Sequence, residues 1–164
     1  MFPKPAEVLM NSLRALFAIP AVPAVAVAAM VATSAPAAAQ IVDQFDSFYS
    51  LTDGLCVAQV SSAVTSNAYP EHAAFSVATN MFGVGSCHLS LTLNWRNVET
   101  GETGDFTVTA NGPGYWGNSG YSALFHPGLG RFTATMTVGA AHIPEPGSVE
   151  FRVDPYQGAP PARR

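Results

Sequence analysis

The chain has 164 residues, 48% of them hydrophobic, with 7 basic against 11 acidic residues and a formal charge of −4. Its only adjacent basic residues are the last two, Arg163 and Arg164. Without a basic cluster it cannot compete for phosphate backbones, which excludes nucleic acid as a partner.

The first 39 residues are built differently from the rest. Arg14 precedes an apolar run from Ala15 to Val31, and small residues follow, ending Ala37-Ala38-Ala39 before Gln40. A charged start, an apolar middle and a small-residue close are the parts of a secretory signal peptide, cleaved after Ala39. The rival reading is a retained membrane anchor, since a spanning helix needs about 20 apolar residues. Pro20 and Pro23 interrupt this run, and it is made of Ala and Val rather than Leu, so cleavage is the better expectation. The chain then divides into a signal peptide at 1–39, a single domain at 40–156 and a Pro-rich disordered tail at 157–164. The membrane is a partner only through the transient leader.

From Gln40 onward 125 residues remain, enough for one domain with a real core. That part contains no lysine, five arginines and ten Asp or Glu, a formal charge of −5. Both cysteines, Cys56 and Cys87, fall in it, and an even pair in an exported chain reads as one disulfide. No histidine lies at ligand spacing from either, so no metal or cofactor is expected.

In chain order, 41–50 is ambiguous, because Phe45, Phe48 and Tyr49 fit either a helical turn or an edge strand. After Gly54, Cys56, Ala58, Val60 and Val64 share one phase. Phe75, Val77, Thr79 and Met81 form a second inward face. Cys87, Leu89, Leu91, Leu93 and Trp95 alternate with His88, Ser90, Thr92, Asn94 and Arg96, the period of a half-buried strand. Glu99 to Asp105 supplies a hairpin loop with two glycines. Beyond it, Phe106, Val108 and Ala110 make a strand, as do Phe132, Ala134, Met136 and Val138. Ile143-Pro144-Glu145-Pro146-Gly147 precedes a last strand carrying Val149, Phe151 and Val153. No sustained 3.6-residue period follows the leader. The expected fold is all-β, an antiparallel β-sandwich of about 6–8 strands in an immunoglobulin-like arrangement, with a small β-barrel as the alternative. The Trp between the cysteines that marks antibody domains is absent.

Gly117-Asn118-Ser119-Gly120 resembles the nucleophile loop of trypsin-like serine proteases. The resemblance covers four residues. Tyr121 stands where that family has a second glycine, the surroundings of His72 do not match, and 125 residues cannot form two barrels. No Gly-x-Ser-x-Gly elbow, H-E-x-x-H helix or Asp-rich calcium loop occurs. The sequence therefore names no catalytic residue.

The best binding candidates are Tyr115, Trp116, Tyr121 and Phe125, which interleave with glycines between Asn111 and Gly130. Aromatic rings on a glycine-rich loop stack on sugars or anchor a protein partner, and otherwise cap an open end of the fold. The resulting expectation is an exported, non-enzymatic binding or structural module of the bacterial cell envelope or extracellular space, with an unknown protein or glycan partner. Two alternatives remain. One is a small secreted hydrolase using Ser119, His126 and a carboxylate such as Asp105. The other is a protease inhibitor presenting the loop near Tyr115 or Pro144.

Overall fold

The computed structural model describes residues 40–157. The expected signal peptide and all but the first residue of the expected tail lie outside the described residues. Within them the chain is antiparallel β throughout, with one short 3₁₀ turn at Gly120–Ala123. No helix among the described residues is long and apolar enough to cross a membrane.

Ten strands form one curled sheet: β1 (Val42–Gln44), β2 (Phe48–Leu51), β3 (Asp53–Tyr69), β4 (His72–Asn97), β5 (Thr103–Gly112), β6 (Gly114–Gly117), β7 (Leu124–Phe125), β8 (Gly130–Val138), β9 (His142–Ile143) and β10 (Ser148–Val153). The count exceeds six to eight because β1, β6, β7 and β9 are fragments of two to four residues. The ambiguous segment at 41–50 resolves into strands: β1 and β2 both pair with β3, and β2 is flanked on its other side by β9.

The 26-residue β4 organises the whole sheet. It spans two stretches whose alternation reads in sequence as separate strands. Along one side it pairs first with β3 and then, from Leu91 to Asn97, with β8, beyond which lies β10. Along the other side β5, β6 and β7 run back past it in succession, with a cis Gly112–Pro113 bond between β5 and β6. His88 pairs with both Asp53 and Asn111, so it marks the crossing point between the two halves of the sheet.

The predicted inward faces are the observed core. Ala58, Val60, Val64, Phe75, Leu91, Leu93 and Phe132 are fully shielded. Rings from both halves meet there: Phe125 on β7 stacks on Phe106 of β5 at 5.6 Å and meets Phe151 of β10 edge-on at 5.9 Å, while Phe151 stacks on its ladder partner Phe132 at 5.0 Å. Ser62 on β3 contacts the Met136 sulfur on β8 at 3.8 Å, which ties the two inner faces directly. Polar clips hold the margins. The buried Asn97 Oδ1 accepts from the N–H groups of Glu99 and Thr100, while its Nδ2 donates to the Leu129 carbonyl. The free edge of β10 is met by Ser66 Oγ, which accepts from Arg152 N–H, and by Asn67 Oδ1, which accepts from Asp154 N–H. Satisfying those outward N–H groups closes the curl.

Candidate functional site

Pairing register decides which aromatic side chains point outward. Residues directly opposite on an antiparallel ladder share a face. Trp116 sits opposite the buried Thr79, and Phe125 opposite the buried Ala73, so both turn inward. Phe125 is 7% exposed and wedged between Phe106 and Phe151. Trp116 is half-buried against the core. Tyr115 lies opposite the exposed Asn80 and projects into solvent, 74% exposed. Tyr121, on the 3₁₀ turn, is 85% exposed. The four rings therefore do not form one site. Two are core, and two belong to the outer surface. The segment carrying them is also less of a loop than its glycines suggest, since β6 and β7 are edge strands laid along β4.

The outer Tyr121 has partners that the sequence reading did not single out. Its ring meets that of Tyr69 at 6.5 Å, and Tyr69 in turn meets His72 at 5.7 Å. Tyr69 and Tyr121 flank a groove of about 280 Å³, lined also by Ala68, Ala74, Ser76, Ser119, Gly120, Ala123 and Leu124. The groove is framed by the tight β3–β4 turn on one side and the 3₁₀ turn on the other. Asn118 fastens the second of these to β4. Its Oδ1 accepts from Val77 N–H at 2.7 Å, and its Nδ2 donates to the Phe75 carbonyl at 2.9 Å. The only signal for Tyr69 in the sequence is its place before Pro70-Glu71 at a strand end, which any solvated turn shares.

The proposed hydrolase trio is not assembled. Among the described residues, Ser119 makes no hydrogen bond to His126 or Asp105; its carbonyl accepts from Ser122 Oγ. The His126 ring lies 4.9 Å from that of His72, whose Nδ1 donates to the Pro70 carbonyl. Asp105 lies instead on a polar concavity of about 470 Å³, with Asn94, Arg96, Thr103, Thr133 and Thr135. No group of three or more His, Cys, Asp or Glu gathers as a metal site among the described residues. Near Pro144, the Pro146 carbonyl accepts from Asp46 N–H, so the β9–β10 loop is tied back to the chain start of the domain.

Ionisable groups with displaced pKa values lie away from the groove. His142 is raised, first because its Nδ1 donates to the Ala140 carbonyl and then because Glu145 faces its Nε2 at 3.1 Å. Asp154 is lowered, chiefly by its hydrogen bond from Arg152.

Cys56 and Cys87 form the expected disulfide, with Cα atoms 6.0 Å apart and both residues buried. It spans the irregular stretch where Asp53 pairs with His88 and Leu55 already pairs with Val84. A disulfide is the chemistry of an oxidising, extracellular compartment.

No family model matches this chain. No curated protein and no solved structure matches it either. The functional reading thus stands on the geometry of the chain itself.

Proposed function

We propose that this protein is an exported, non-enzymatic binding module of the bacterial cell envelope or extracellular space, holding a neutral sugar unit of a glycan in the groove between Tyr69 and Tyr121. The observation that carries the reading is the groove's chemistry. Two exposed phenol rings at an interplanar angle of 61° flank a floor of alanines with the hydroxyls of Ser76 and Ser119. Rings cover the apolar faces of a sugar, and hydroxyls meet its edge. No Asp, Glu, Lys or Arg lines the groove, which favours a neutral ligand over a charged one.

Export through the leader at 1–39 is part of the same proposal, supported by the disulfide. We further read the curled sheet as a sandwich-like arrangement, its two halves facing each other where Phe125 meets Phe106 and Phe151 and where Ser62 meets Met136.

The test is equilibrium binding of the protein to immobilised neutral envelope polysaccharide. Tyr121→Ala removes an exposed ring, so the melting temperature stays unchanged while affinity drops about tenfold, the size of one stacking contact. Equal binding by parent and variant, or no binding by the parent, would overturn the reading.

A further inference from the structure

The two halves of the curled sheet present opposite chemistry to solvent. On the half built from β5, the end of β4, β8 and β10, the outward residues are Thr92, Asn94, Arg96, Thr107, Thr135, Thr137, Glu150 and similar groups. Thr92 and Thr107 hydrogen-bond at 2.8 Å, and Asn94 donates to Thr137 at 2.9 Å. On the other half the outward row Leu51–Val57–Phe82 crosses three paired strands. Leu55 beside Val84 forms the next row, and a third row runs Ile143–Tyr49–Gln59–Asn80–Tyr115, with apolar or aromatic side chains at its ends and two uncharged amides between them. Leu55 is 76% exposed and Phe82 64%. From Leu55 to Thr65 on β3 and from Ala74 to Val84 on β4, no outward residue is Asp, Glu, Lys or Arg.

An uncharged face with two wholly apolar rows, interrupted only by the amides of Gln59 and Asn80 in its third, exceeds what isolated surface hydrophobes provide and marks a contact surface. We infer that it packs against the same face of a second copy, related by a twofold axis near Val57 and Phe82. This proposal is independent of the sugar reading, because the Tyr69–Tyr121 groove lies at the far end of the same strands.

Three observations select a second copy. The first is area. The eight apolar side chains, 42–76% exposed, present on the order of 1,000 Å², against about 800 Å² per partner in a standard interface. The second is charge. Each chain has a formal charge of −4, so two copies repel wherever their acidic surfaces meet, and the uncharged face is where that repulsion is weakest. The third is the chemistry of the face. Leu, Val and Phe offer a glycan no hydrogen bonds. Among the described residues of this face, no Lys or Arg is present to hold lipid headgroups. Face-to-face sheets pack about 10 Å apart with interdigitating side chains, which suits rows of Leu, Val and Phe. A twofold interface needs one self-complementary patch, and this face supplies it.

The test is sedimentation of the purified protein across a micromolar concentration series, with melting temperature measured in parallel. The parent sediments as a dimer. Phe82→Glu places like charges across the axis and weakens self-association at least a hundredfold. Leu55→Glu, at the most exposed position, does the same if the first variant folds poorly. Thr107→Glu, on the polar half, leaves the dimer intact. Mixing Phe82→Glu with Phe82→Lys restores a heterodimer. A monomeric parent at the highest concentration overturns the proposal, as does a dimer that survives both glutamate variants. A monomeric parent that floats with neutral phosphatidylcholine vesicles overturns it in favour of a lipid surface.

Discussion

Asn118 substitutes for a strand residue at Val77. Its own N–H donates to the Val77 carbonyl at 3.2 Å, and its side-chain oxygen accepts from the Val77 N–H at 2.7 Å. The amide group thereby carries the ladder past the end of β6 and anchors the start of the 3₁₀ turn that holds Tyr121.

Replacing Asn118 with Ala leaves the Val77 N–H without its acceptor and the Phe75 carbonyl without its side-chain donor. An unpaired buried donor costs about 1–3 kcal/mol. Urea denaturation is expected to show a loss of that size, together with weakened ligand binding at Tyr121. A variant as stable as the parent would show that the clip is dispensable.

Removing the disulfide as Cys56→Ala with Cys87→Ala releases a loop of sequence separation 31 in the unfolded chain. The expected loss is about 3–4 kcal/mol in the chain-entropy account. The urea midpoint of the double variant should fall accordingly, and that of the parent should fall by a similar amount under reducing conditions. Equal midpoints in oxidised and reduced parent would contradict it.

Gly83 is opposite Cys56, and a Cβ there would overlap the Leu55 carbonyl oxygen and the Cys56 backbone. These are backbone atoms, and they cannot rotate aside. Gly83→Ala should therefore force β3 and β4 apart near the disulfide and destabilise the domain by about 1–3 kcal/mol. A melting temperature matching the parent would mean the ladder relaxes freely at this point.

His142 donates from Nδ1 to the Ala140 carbonyl and faces Glu145 through Nε2, so its protonated form is favoured in the fold. Its pKa is raised above 6.5, the unfolded reference. The folded state then binds the proton more tightly. The stabilisation is fully present below the unfolded value and is lost as pH rises through the folded one. Denaturation measured between about pH 5 and about pH 8 should show this component, and His142→Gln should abolish it. An NMR titration midpoint for the ring at or below 6.5 would sink the assignment.

Burial on each strand was readable from the sequence wherever one face was apolar and the other polar. Leu89, Leu91 and Leu93 against Ser90, Thr92 and Asn94 is the clearest case, because a one-residue shift would put every leucine in water. The continuity of β4 was not readable. The segment from Phe82 to Ser86 breaks the alternation with two glycines, yet β3 pairs with Phe82, Gly83 and Val84 and again with His88, carrying the strand across the irregularity at Gly85. Nor was the apolar outer face. Leu55-Cys56-Val57-Ala58 and Met81-Phe82 are apolar on both phases, which alone fits a doubly buried strand equally well. The split of Tyr115 and Tyr121 from Trp116 and Phe125 depends on the register of two short edge strands, which no local pattern encodes.

The sequence by itself determined the β class, the inward face of each main strand and the pairing of its only two cysteines, because period-two alternation and residue count are local properties. The tertiary structure alone decided that Tyr69 meets Tyr121, that Phe125 belongs to the core, and that Leu55, Val57, Phe82 and Val84 share one uncovered face. Those relations join residues far apart in the chain. They follow from ladder register and the curl of β4, which are set by the packing of the whole sheet.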